Sequence, residues 1–341
     1  MAPRLAVGKL PAAHLAAIAA RLQRDDRRLL VGPRPGEDAA VIEFGNRLLV
    51  VAADPVTFAT DHIGSYAVHV NANDVAVLGA RPLWFVAVVL LPESSATTDM
   101  ADAIMADVAA ACDGLGAVVA GGHTEVTAGL DRPIVVGQML GEVERSRLVA
   151  KSRLAAGDHL LLTRGAAIEG TAILAREMRG ALAGRVPDDV LDRAARLLVD
   201  PGISVVDAAL TAAAAADVHG LHDPTEGGVL AGLAEMAAAA GLGLHVHADR
   251  IPVLPETAAI AAALDLDPLA LIASGALVAG VAPADVARVI DALAVRGVPA
   301  AVVADVRPAG DGLTIARGGV VSRLELPARD EIARVLERGA L

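Results

Sequence analysis

The apolar runs in this chain are short, and glycine, proline or a charged residue closes most of them. The longest candidates, Leu83–Leu91 and the alanine-rich stretch after Asp207, fall short of the roughly 18 apolar residues a membrane span needs. Runs broken this often bury themselves best as strands and helices stacked in layers. Pro11–Leu22 predicts a helix, with the charged run Arg24–Arg28 as its solvated end and Gly32–Gly36 as a loop. Gly45-Asn46-Arg47 then separates two strand-like runs, Ala39–Phe44 and Leu48–Ala53, as a hairpin. Helices are predicted over Gly64–Leu78 and from Thr98 to Gly114 or Gly116, and buried strands over Ala117–Ala120 and Ile134–Leu140.

Gly157-Asp158 interrupts the chain again, which puts a domain boundary near residue 155. Two domains follow, 1–155 and 156–341, both mixed α and β. After the strand His159–Thr163, helices are predicted at Ile168–Arg179, Pro187–Leu198, Ile203–Ala215, Val229–Ala240 and Pro283–Arg296. Strands are predicted at Leu242–His247, Ala276–Val281 and Ala300–Val306.

Hydrophobic residues make up 55% of the chain and aromatics 1%, so the core is aliphatic and few rings remain for stacking bases. The net charge of −12 repels a phosphate backbone. Nucleic acid is therefore not an expected partner, nor is a membrane. A small anionic ligand needs a metal or backbone amides to offset that charge. The one cysteine, Cys112, excludes a disulfide within the chain and a cysteine-built zinc site, and points to a reducing, cytoplasmic compartment.

No P-loop, strand–GxGxxG–helix unit, GxSxG elbow or HExxH occurs. His219/His222 and His245/His247 have zinc-compatible spacing, but no third ligand stands at a fixed distance, so solvated or capping histidines are the simpler reading. Three carboxylates are more informative. Asp38 enters a strand in GEDAAVI, Asp54 ends the apolar run LLVVAAD, and Asp74 lies in an apolar helix within VHVNANDVAVLGA, sharing a face with Asn71. Together they suit Mg²⁺, which takes a few carboxylates plus phosphate and water. Equally, they read as two turn residues and one satisfied helix polar group. Two glycine-rich turns complete the set. One is Gly121-Gly122-His123-Thr124-Glu125 after a buried strand. The other is HDPTEGGVL, where Gly227 and Gly228 at a helix start open backbone amides to phosphate, with Asp223 or Thr225 as N-cap.

Taken in order, GKLP at Gly8, GEDAAVI at Gly36, DPVTFATDHIG at Asp54, NANDVAVLGARP at Asn71, GGHTEV at Gly121 and DPTEGGV at Asp223 resemble the aminoimidazole ribonucleotide (AIR) synthase-related, PurM-like superfamily. Its HypE-like hydrogenase maturation members are the nearest match. The resemblance spans nearly the whole chain. It implies a two-domain α+β / α/β fold: an N-terminal domain whose strands build an intersubunit β-barrel in a homodimer, and a C-terminal α/β domain. It implies ATP and Mg²⁺ in a cleft between the domains. Asp38, Asp54 and Asp74 are the implied metal positions. Asn71, Asn73, Asp74 and Gly121, Gly122, His123, Thr124 and Glu125 are implied at the nucleotide. Asp223, Thr225 and Glu226 are candidates on the catalytic, substrate side.

The implied activity is Mg-ATP-dependent activation of an amide or carbonyl oxygen of a small substrate by phosphoryl transfer. The chain departs from the family pattern in three places. It ends Glu337-Arg338-Gly339-Ala340-Leu341 without the terminal cysteine of HypE, His123 replaces an aspartate, and Glu226 replaces an arginine. These leave room for a protein partner that supplies a cysteine tail. They also motivate two alternatives: a noncatalytic nucleotide-binding assembly module, and a small-molecule kinase resembling thiamine-monophosphate kinase.

Overall fold

Helix and strand largely follow the predicted punctuation in the computed structural model, which describes residues 10, 12–34, 36–57, 61–326 and 329–337. Gly8, Lys9 and Pro11 of GKLP, Phe58-Ala59-Thr60 of the Asp54 motif and Gly339-Ala340-Leu341 lie outside the described residues. The chain divides into two compact units. One takes Arg24–Gly32 and Glu37–Leu148; the other takes Val149 onward with the chain up to Gln23 and Pro33–Gly36. Helix α1 (Ala12–Leu22) ends before the charged run. Arg24–Arg28 is therefore exposed coil and turn rather than a helix end, with the Arg28 amide donating to Asp26 Oδ1 at 2.8 Å.

The first unit contains β1 (Leu29–Val31), β2 (Ala40–Phe44), β3 (Arg47–Val56), α2 (Ile63–Ala76), β4 (Arg81–Pro92), α3 (Thr98–Leu115), β5 (Val118–Thr127) and β6 (Ile134–Val143). Its strands form one sheet in the order β1-β2-β3-β6-β4-β5, antiparallel except for the β4–β5 pair. The apolar run Leu83–Leu91 is the body of β4. Alternate residues Phe85, Ala87, Val89 and Leu91 are buried, as a strand with one covered face requires. Helix α3 starts where Thr97 accepts the Met100 amide at 3.1 Å and stops at left-handed Gly116. A Cβ on Gly64 of α2 would stand 2.3 Å from the Ile104 carbonyl of α3, so glycine lets the two helices close on each other. Strand β5 corrects an expectation. It is an edge strand and mostly exposed, not a buried one, with Val118 62% exposed.

The second unit contains β7 (His159–Thr163), α4 (Ile168–Glu177), α5 (Arg179–Leu182), α6 (Asp188–Arg196), α7 (Val206–Ala215), β8 (Gly220–His222), α8 (Gly228–Ala239), β9 (Gly243–His247), α9 (Pro255–Leu264), β10 (Val278–Val281), α10 (Val286–Val295), β11 (Ala300–Arg307), β12 (Leu313–Arg317), β13 (Val320–Arg323) and α11 (Glu331–Glu337). The sheet order is β13-β12-β9-β11-β7-β10-β8, and only β9–β12 pairs in parallel among the described residues. Its core is aliphatic: Leu160, Leu162, Val246 and Val278 of the sheet cluster with Leu233 and Met236 of α8. No single helix among the described residues is long and apolar enough to cross a membrane.

Candidate active site

In the first unit Asp38 and Asp54 lie at one end of the β2–β3 hairpin, while Asp74 stands apart on α2. Ala40 pairs with Val51, so Asp38, two residues before β2, leaves the hairpin at the end where Asp54 stands on β3. Asp54 is exposed, and its backbone is clamped by buried Asn71 of α2. Asn71 Oδ1 accepts the Asp54 amide at 2.8 Å, while its Nδ2 donates to the carbonyls of Asp54 at 3.2 Å and Ala67 at 2.8 Å. The Asn71 amide is thus occupied by backbone, and its contribution is to fix where the Asp54 carboxylate emerges. A Cβ at Gly137 of β6 would lie 2.4 Å from Asn71 Nδ2, so glycine there is what admits the clamp. Asn73 and Asp74 follow on α2, both buried, with Asp74 6% exposed.

The Gly121–Glu125 segment is not a turn but continuous strand in β5. One residue, Ala120, is absorbed as a bulge between the pairs Val119–Phe85 and Gly121–Val86. A Cβ on Gly122 would stand 2.1 Å from the Ala87 carbonyl, so this glycine serves close backbone approach rather than chain reversal. The register carries Asp54 to Gly137, Gly137 to Ala87, and Ala87 to Gly122. Asp54 and Gly122 therefore lie in one row of the sheet, three strand spacings or about 15 Å apart. Further along β5, His123 Nε2 lies 3.1 Å from Glu125 Oε2, and Thr127 Oγ1 donates to Glu125 Oε1 at 3.0 Å. These bonds hold the exposed Glu125 carboxyl below its usual range. Carboxylate oxygens at a fixed strand end are the hard donors Mg²⁺ takes, and the donor chemistry here fits that ion.

In the second unit, Lys151, which the sequence reading passed over, and His222, which it read as a solvated or capping histidine, form the centre. Lys151 is 1% exposed; its ammonium donates to the Gly36 carbonyl at 2.7 Å and to His222 Nδ1 at 3.1 Å. An ammonium only donates, so Nδ1 accepts and the imidazole proton resides on Nε2, 3.1 Å from Glu235 Oε2. The result is a continuous path from a buried amine through a buried imidazole to a carboxylate at 37% exposure. His222 and His219 do not act as a pair: His219 Nδ1 is 2.7 Å from Asp158 Oδ2. A signal for Lys151 was present in the sequence. Of 29 basic residues only Lys9 and Lys151 are lysine, so an amine at these positions stands out against the chain's arginines.

Asp223 is 1% exposed beside His222, and Thr225 and Glu226 are half-buried in the turn that leads to α8. The N-cap of α8 is left-handed Gly227, not Asp223 or Thr225. Its amides are already engaged: Gly227 N donates to Asp330 Oδ2 at 2.6 Å and Gly228 N to the Thr225 carbonyl at 3.0 Å. The expected phosphate approach is thus met by an internal carboxylate at Gly227 and by a backbone carbonyl at Gly228. Asp330 Oδ1 also accepts the Ile332 amide at 2.8 Å, so one side chain caps both α8 and α11. Burial still pushes Asp330 up to about 6.

Comparison with known proteins agrees with this architecture. Residues 36–143 match the N-terminal domain and residues 155–315 the C-terminal domain of AIR synthase related protein. The chain is 32% identical over 265 residues to the carbamoyl dehydratase HypE of Rhodobacter capsulatus, covering 76% of this chain and 74% of that protein. A crystal structure of a HypE-HypF complex superposes with a TM-score of 0.75 at 20% identity, covering 93% of this chain and 100% of that one. A HypE structure in complex with ATP gives a TM-score of 0.67 at 21% identity, covering 96% and 98%. At those identities the two structures speak to the fold alone. The chain belongs to the AIR synthase-related superfamily, on its HypE-like side.

Proposed function

We propose that the protein is a cytoplasmic Mg-ATP-dependent enzyme that activates an amide or carbonyl oxygen of a small substrate by phosphoryl transfer. The family and the name of its Rhodobacter relative support the reaction type, and the ATP-bound HypE neighbour supports the nucleotide. In this reading residues 1–155 bind nucleotide and dimerise, and 156–341 carry the substrate chemistry. Asp38, Asp54 and Asp74 hold Mg²⁺, while Asn71, Asn73 and Gly121–Glu125 shape the nucleotide site. Bound Mg²⁺ supplies neutralisation of phosphate charge. Asp223, Thr225 and Glu226 line the substrate side.

The observation that carries the proposal is the Lys151–His222–Glu235 path. Converting an amide oxygen to a phosphate leaving group and expelling it removes protons from the amide nitrogen. The Lys151 ammonium passes a proton to His222 Nδ1 while His222 Nε2 passes its own to the half-exposed Glu235 carboxylate, which leaves a neutral amine to take up an amide proton. Cys112 is no candidate acceptor: it is buried in α3, and burial with the charge of Asp113 pushes its thiol up to about 11. The carbamoyl-type group is therefore expected on another molecule, in keeping with a partner protein such as the one in the HypE-HypF complex.

The test uses an S-carbamoyl cysteine peptide with ATP and Mg²⁺, reading ADP release and heat of ATP binding. Lys151→Met is expected to bind ATP normally and lose turnover about a hundredfold or more. Asp54→Ala is expected to lose the magnesium dependence of ATP binding. Turnover in Lys151→Met equal to wild type would overturn the proton path. ATP binding by the wild-type chain with no turnover would favour the noncatalytic nucleotide-binding assembly module, which His123 and Glu226 also motivate.

A further inference from the structure

A basic cavity in the second unit has no part in the reading above. It measures about 580 Å³ and is lined by Arg164, Arg193, Arg196 and Arg296 against two carboxylates, Asp200 and Glu256. Four guanidinium groups converging on one hollow is unexpected in a chain of net charge −12. Favourable placement at a helix C-terminus accounts for Arg193 and Arg196 on α6. It accounts for Arg296 too, which is the C-cap of α10, but not for Arg164, which follows β7.

Arg164 is built into place. Its backbone is left-handed at φ 59°, and its amide donates to the Pro299 carbonyl at 2.8 Å. Its Nη1 donates to the carbonyls of Gly202, Ser204 and Gly275 at 3.0–3.1 Å. Among the described residues its Nε and Nη2 make no hydrogen bond. Arg193 spends Nε on Glu256 and Nη1 on Asp189, and Arg296 spends Nε and Nη2 on Asp207. Arg196 has no hydrogen bond or ion pair among the described residues. Each arginine thus faces a shared hollow with donors left over, and Arg164 and Arg196 are the two that no carboxylate hydrogen-bonds among the described residues. Leu197, Leu254 and Val298 give the same cavity an apolar wall. The volume suits a small organic molecule better than a bare ion.

We propose that this cavity binds a small phosphate-bearing molecule, with its phosphate held by the unspent donors of Arg164 and Arg196 and its body against Leu197, Leu254 and Val298. A dianion matches the two guanidinium groups that no carboxylate hydrogen-bonds, and planar arginine forks match phosphate oxygens. The site shares no residue with the acidic nucleotide positions and needs no metal.

Calorimetry on the full chain with inorganic pyrophosphate in EDTA tests this. Binding is expected in the wild type and in Asp54→Ala, and weakened about tenfold or more in Arg196→Glu, since loss of charge-assisted bonds costs that much. Arg164→Gln is expected to do the same; if it fails to fold, Arg196→Glu decides alone. No binding at millimolar pyrophosphate, equal affinity in Arg196→Glu, or loss in Asp54→Ala would overturn the proposal. Succinate binding as tight as pyrophosphate would overturn the phosphate assignment. Because Asp54→Ala acts on one site and Arg196→Glu on the other, failure here leaves the proposed ATP site standing.

Discussion

Glu169 lies on α4 at 5% exposure, and burial pushes its carboxyl up to about 7, with the charges of Asp330 and Glu226 adding to the rise. A carboxyl that holds its proton more tightly folded than unfolded makes the protein less stable as pH rises from about 4.5 towards 7. The full penalty, on the order of 3 kcal/mol, is present above that window. Glu169→Gln is therefore expected to gain on wild type between about pH 5 and about pH 8 in urea unfolding. A difference that is the same at both pH values would show that Glu169 does not titrate in this window. At this scale the sequence was half legible. Asp38 and Asp54 stood out as candidates because a carboxylate closing an apolar strand is costly without a partner. Lys151, Asp330 and Glu169 were missed because what defines them is burial and contact with distant residues, such as Asp330 with Gly227.

The β4–β5 pair separates two adjacent glycines that look alike in sequence. A Cβ on Gly121 meets nothing within 4 Å, whereas one on Gly122 meets the Ala87 carbonyl at 2.1 Å. Gly121→Ala is expected to leave stability nearly unchanged. Gly122→Ala is expected to cost about 1–3 kcal/mol, read as a lower melting temperature and faster hydrogen exchange along Val86–Val89. Equal effects would contradict the close approach. The same pair shows why the segment was read as a turn. Two glycines mark either a left-handed reversal or a crowded backbone, and only the neighbouring strand decides which. At Gly227-Gly228 the turn reading holds, with φ of 81° and 68°. The hairpin at Gly45 and the helices α3 and α8 were legible because their start and stop signals are local.

Across the whole molecule the two units answer acid with opposite signs. In the first unit, burial lowers His69 of α2 to about 4, so its contribution is lost as pH falls from 6.5 towards that value. In the second, Glu169 and Asp330 favour acid. Trp84, the single tryptophan, is in the first unit, so its emission reports that unit while circular dichroism reports both. At about pH 5 the tryptophan transition is expected to fall at lower urea than the dichroism transition, and near pH 8 the two draw together. Trp84 also lies on the sheet face opposite α2, with half-exposed Val86, Val88 and Leu90. That apolar surface is the motive for the proposed homodimer. Sedimentation at micromolar concentration is expected to give twice the chain mass, with a blue-shifted emission; a monomer with unshifted emission would count against it.

The scarcity of lysine beside arginine has a practical side. Within the described chain a lysine-specific protease has one target, the bond after Lys151, three residues past Leu148 where the first unit ends. That bond stays shut while the amine is tucked against Gly36 and His222. Each cut would record a moment when the proposed proton path had come apart, and would leave two pieces close to the two units. The residue argued to move protons thus doubles as a tamper seal on its own pocket.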